Sequence, residues 1–100
     1  MLLAPPEIVE TTAYARLPDE LKLKRGEMNE WGRGQPIGLP ERSLLEGPSF
    51  DRDGTLYCVD AVLGRIYQIT SNGEFSIVAE YDGWPNGLKI HSDGRIFIAD

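Results

Sequence analysis

Leu56, Cys58 and Asp60 alternate with Tyr57 and Val59, and this period of two predicts a β-strand. Four such short segments follow one another, at about 46–50, 55–60, 65–70 and 74–80. The breaks between them carry turn chemistry: Asp53-Gly54, Gly64 and Asn72-Gly73. Upstream, residues 8–17 also read as a strand. Thr12, Tyr14 and Arg16 fall on one side and Ala13, Ala15 and Leu17 on the other, until Pro18 ends the run. Residues 19–45 have no sustained period. Gly26, Gly32, Gly34, Pro36, Gly38 and Pro40 interrupt them, which predicts a long irregular arm with Trp31 as its anchor.

The strand pattern repeats. The stretch from Glu46 to Asp60 lies over the stretch from Asn86 to Asp100 without a gap, at an offset of 40 residues. Gly47 meets Gly87, Asp53-Gly54 meets Asp93-Gly94, Leu56-Tyr57 meets Ile96-Phe97, and Asp60 meets Asp100. A period near 40 with several short strands per unit predicts propeller blades. The fold expected is all-β, a β-propeller fragment of about one and a half four-stranded antiparallel blades. The chain divides into a strand and extended arm (1–43), a first blade (44–83) and the start of a second (84–100). A closed ring needs at least about four blades, and an apolar strand lacking its sheet neighbour leaves an exposed edge. The chain is therefore expected to be part of a longer protein.

Composition narrows the function classes. The formal net charge is -6 and the ten Lys and Arg are scattered, so neither nucleic acid nor an anionic membrane surface is an expected partner. The single cysteine, Cys58, permits no internal disulfide and no multi-thiolate zinc site. Met1-Leu2-Leu3-Ala4 runs into Pro5-Pro6 with no basic segment or long apolar run, so no secretory leader is read there and a cytoplasmic location is expected.

Leu45-Glu46-Gly47-Pro48, Leu56-Tyr57-Cys58-Val59-Asp60, Arg65-Ile66-Tyr67-Gln68-Ile69, Pro85-Asn86-Gly87-Leu88 and the closing Asp93 to Asp100 together resemble the senescence-marker-protein/gluconolactonase/luciferin-regenerating-enzyme-like family. The resemblance covers residues 44–100. It implies a six-bladed propeller and a divalent-metal-dependent hydrolase that opens lactones or related esters with a metal-activated water. The metal implied is calcium, with zinc or magnesium as alternatives. Glu46 matches the family's metal-ligating glutamate, and Asn86 matches an asparagine of the metal and substrate pocket. The general base and remaining ligands would come from later blades, so no catalytic residue is assigned within the chain, which is expected to be inactive alone. Trp84 departs from the pattern, because sugar-lactone hydrolases of the family commonly carry arginine there. An indole cannot hold an anionic or polyhydroxylated substrate as a guanidinium does, which favours a more apolar lactone in contact with Trp84. Packing of the blade junction is the competing role for Trp84.

The residue types agree with that chemistry. Hard divalent cations take oxygen ligands, and Glu46 and Asn86 both supply oxygen from equivalent blade positions. A Glu or Asn that opens a strand is more often a turn residue or cap. The in-register repeat outweighs that for Glu46, whereas Asn86-Gly87 is also an ordinary turn signal. Asp51-Arg52-Asp53-Gly54 lacks the spacing of a calcium loop and reads as a turn; His91 reads as a strand-end residue and Cys58 as core. No Gly-x-Ser-x-Gly occurs. The rival function is a non-catalytic propeller scaffold, or a relative with strictosidine-synthase-like or phosphotriesterase-like chemistry.

Overall fold

The computed structural model describes residues 2–36 and 42–100. β1 (Leu45–Phe50), β2 (Leu56–Asp60), β3 (Arg65–Ile69) and β4 (Phe75–Glu80) form one antiparallel sheet in chain order. β5 (Gly87–Ile90) and β6 (Ile96–Ala99) form a second, two-stranded antiparallel sheet. Among the described residues, helix is confined to a 3-10 turn at Asp19–Leu21 and the single turn α1 at Glu30–Arg33. The chain is all-β, with the sheet arrangement of a propeller fragment and no closed barrel.

The alternation along β2 divides the core. Cys58 packs with Tyr67 and Ile69 on one face, and Val59 packs with Ile66 and Leu88 on the other. Leu88 belongs to β5, so the second face is covered by the next sheet, with Ile90, Ile96 and Ile98 adding to the contact. The first face is covered by the arm through Ala15, Leu17 and Leu21. Burying both faces is what a short sheet requires to offset the entropy of ordering it.

The strand expected over residues 8–17 does not form. The stretch carries no ladder, and Ile8 and Val9 are 90% and 71% exposed. A β-rich sequence becomes a strand only where a sheet edge accepts its backbone hydrogen bonds. Here its last residues lie across the sheet face, and Tyr14 meets Phe50 edge-on at 6.0 Å between ring centroids.

Trp31 is half-buried in α1. Polar contacts add to the packing of Ala15, Leu17 and Leu21 in holding the arm. Arg65 Nη1 donates to Leu21 O at 2.8 Å, Asn29 Nδ2 to Val62 O at 2.5 Å, and Arg42 Nε to Leu23 O at 2.7 Å. Part of the irregular stretch, residues 37–41, lies outside the described residues.

Candidate functional site

β1 and β5 are the first strands of their copies, and they lie side by side. Their closest approach is at Gly47, where a Cβ would stand 2.6 Å from Leu88 N and 3.0 Å from Gly87 Cα. Gly47 has φ +61° and sits in a bulge where the β1–β2 register shifts between Glu46 and Ser49. Pro48 has no N–H to offer a ladder, which suits it to that bulge. Two residues on, Ser49 Oγ donates to Leu88 O at 2.9 Å. The equivalent glycines of the two copies are thus in contact, and Glu46 and Asn86 each precede one of them.

Glu46 is half-buried and Asn86 is exposed. The Asn86 N–H donates to Ala99 O at 2.8 Å, which ties the start of β5 to the end of β6. Glu46 also borders a mostly apolar cavity of about 150 Å³, together with Tyr14, Pro48, Cys58 and Phe75. Asn86 and Trp84 are outside its lining. Trp84 is 50% exposed.

Two carboxylates that sequence reasoning left without a role hydrogen-bond the backbone two residues upstream of Glu46 and of Asn86. Asp60 is wholly buried. Its Oδ2 accepts from Ser43 Oγ at 2.8 Å, and its Oδ1 from the N–H of Leu44 at 3.2 Å and of Val62 at 3.0 Å. In the second copy Asp100 Oδ1 accepts from the Trp84 N–H at 3.1 Å. The sequence signal was present: Asp60 and Asp100 occupy the same repeat position.

The remaining candidates resolve as structural. Asp51 Oδ1 accepts from the N–H groups of Asp53 and Thr55, both at 2.9 Å, which is turn chemistry. His91 repeats that role, its Nδ1 accepting from the Asp93 N–H at 3.1 Å. A groove of about 600 Å³ separates these two hairpin turns, at the far end of β1 and β5 from Glu46 and Asn86. Cys58 lies in the core, and burial, with Asp60 nearby, pushes its thiol up to about 11. That value disfavours the thiolate a nucleophile needs.

The donor set tests the expected metal. Glu46 and Asn86 offer a carboxylate and an amide oxygen, which fit a hard divalent cation. Among the described residues, no group of three or more His, Cys, Asp and Glu is placed to hold an ion. Among the same residues, no helix is long and apolar enough to cross a membrane.

Comparison with known proteins points in one direction. Over 58 residues, 54% of this chain, the sequence is 38% identical to Lactonase drp35 of Staphylococcus aureus (strain USA300). The matched segment covers 17% of that protein. Lactonase drp35 of Staphylococcus epidermidis (strain RP62A) is 31% identical over 68 residues, 62% of this chain and 20% of that protein. The chain therefore has a weak, partial homology to lactonases and spans about one-fifth of their length. No family model matches it, and no solved structure does.

Proposed function

We propose that this chain is part of a divalent-metal-dependent lactonase-type hydrolase, with Glu46 and Asn86 as two oxygen donors to the metal. The observation that carries this reading is the contact between Gly47 and the Gly87–Leu88 backbone, because it brings the starts of the two repeated strands together. The partial homology to Lactonase drp35 supports lactone hydrolysis as the reaction class. Calcium suits the carboxylate and amide donors best. A bound cation of this kind polarises a carbonyl or lowers the pKa of a water. Glu46 would supply charge to the site from β1, and Asn86 a neutral oxygen from the entry to β5. Trp84, half-exposed two residues before Asn86, would present an apolar face to a small lactone or ester. The general base and further donors are assigned to other blades of the whole protein.

The test is lactone hydrolysis by the whole protein that carries this segment, assayed with and without chelator. Chelation and Glu46→Gln should each abolish turnover. Turnover unchanged by Glu46→Gln would remove Glu46 from the site.

A further inference from the structure

The two copies share one more interaction, and it lies beside Glu46 and Asn86. In the first, the Asp60 carboxylate receives the N–H of Leu44, two residues before Glu46. In the second, the Asp100 carboxylate receives the N–H of Trp84, two residues before Asn86. Leu44 and Trp84 are separated by the repeat offset of 40 residues, as are Asp60 and Asp100. The rest of each arrangement differs. Ser43 donates its hydroxyl to Asp60 Oδ2 at 2.8 Å, whereas the equivalent residue of the second copy is Gly83. There Asp100 Oδ2 occupies the space that a Gly83 Cβ would take. One interaction has been kept while its surroundings changed.

We infer that Asp60 and Asp100 are positioning residues: each clamps the backbone two residues upstream of its copy's site residue and fixes where Glu46 and Asn86 enter their strands. This rests on reading Glu46 and Asn86 as cation donors. Burial makes the first clamp stiff. Asp60 is wholly inaccessible and also receives the N–H of Val62 at 3.0 Å and of Leu63 at 3.4 Å, so its carboxylate has no freedom to follow a moving strand. Hydrogen bonds to a charged acceptor are stronger than neutral ones, and more so away from water. The second clamp is exposed and has fewer donors, so it should yield more readily. Groups that orient metal ligands typically change metal affinity about 10–100-fold when removed.

The experiment uses the chain, nitrogen-15 labelled, as wild type and as Asp60→Asn, Asp100→Asn and Glu46→Gln. Amide hydrogen exchange is read residue by residue, and terbium(III) is titrated with Trp84 as the sensitiser. Asp60→Asn should speed exchange at residues 44–47 and Asp100→Asn at residues 84–87, each leaving Tyr67 and Gln68 protected. Each should also weaken terbium binding at least about tenfold. Loss of protection spread evenly over all strands, or unchanged terbium affinity beside faster local exchange, would overturn the inference. If Asp60→Asn does not fold, the exposed Asp100→Asn decides by the same two criteria. Glu46→Gln separates this idea from the metal reading: it should abolish terbium binding without altering exchange at Leu44. A wild-type chain that binds no terbium would count against Glu46 and Asn86 as donors, while the exchange pattern would still decide the clamp.

Discussion

Gly47 of β1 lies against Gly87 of β5, its own repeat equivalent, so closely that a Cβ on Gly47 would stand 3.0 Å from Gly87 Cα. The contact joins the two copies at the point where each carries its candidate site residue. Only glycine meets both requirements there, the absent side chain and φ +61°.

Gly47→Ala should therefore open the β1–β5 junction. Left-handed backbone at a non-glycine residue costs about 1–3 kcal/mol, and the clash with Leu88 N adds to it. Hydrogen exchange at Leu88 and Gly87 should report a loss of local stability in that range, with the β3–β4 ladder unaffected. Protection at Leu88 equal to that of the wild type would refute the tight contact.

Trp84 gives the opposite expectation. Its side chain is half exposed, so Trp84→Ala should change local stability by less than about 0.5 kcal/mol. The effect should appear instead as a raised KM for apolar lactones in the whole protein. A large loss of protection in β5 and β6 with KM unchanged would make Trp84 a packing residue.

Cys58 predicts an alkaline limb. Its folded pKa, pushed to about 11 by burial, lies above the ordinary value of 9.0. Above pH 9 the unfolded chain releases this proton while the folded chain holds it, so stability falls as pH rises from 9 towards 11 and levels beyond. Burial raises Tyr67 and Tyr81 as well and steepens the same limb. Cys58→Ala should flatten it, measured by exchange-derived stability against pH. Iodoacetamide at neutral pH should modify Cys58 slowly in the folded chain and quickly in urea.

Asp93 predicts an acid effect. The Arg95 backbone N–H, then the Arg95 guanidinium, hold its carboxyl below the usual 3.8. The Arg95 N–H reaches Asp93 Oδ1 at 3.0 Å and Arg95 Nε reaches Oδ2 at 2.9 Å. A depressed folded pKa contributes stability that is complete above the ordinary value and is lost as pH falls through the lower one. The Arg95 amide resonance should thus be constant near neutral pH and shift only below 3.8. Asp93→Asn should remove that titration.

Local pattern was sufficient for the strands of both copies, because alternation and hairpin turns are short-range properties. β1 to β4 begin and end within a residue of the positions expected, and the turns at Asp53-Gly54 and Asn72-Gly73 fall where those dipeptides stand. The repeat by itself makes Glu46 and Asn86 equivalent. Residues 8–17 show where local pattern stops. Their composition favours a strand, yet pairing depends on a free sheet edge, and only their last residues, Ala15 and Leu17, pack on a sheet face.

What the sequence alone determined is the all-β class, the strands of the two repeated segments and the 40-residue correspondence that singles out Glu46 and Asn86. Tertiary structure decided the rest. It showed that Gly47 and Gly87 touch, that polar contacts and the packing of Ala15, Leu17 and Leu21 hold the arm, and that Asp60 and Asp100 receive the backbone N–H groups of Leu44 and Trp84. Those facts depend on which faces and edges come together across long sequence separations. A buried carboxylate such as Asp60 is legible only when its donors, from Ser43 to Leu63, are seen around it.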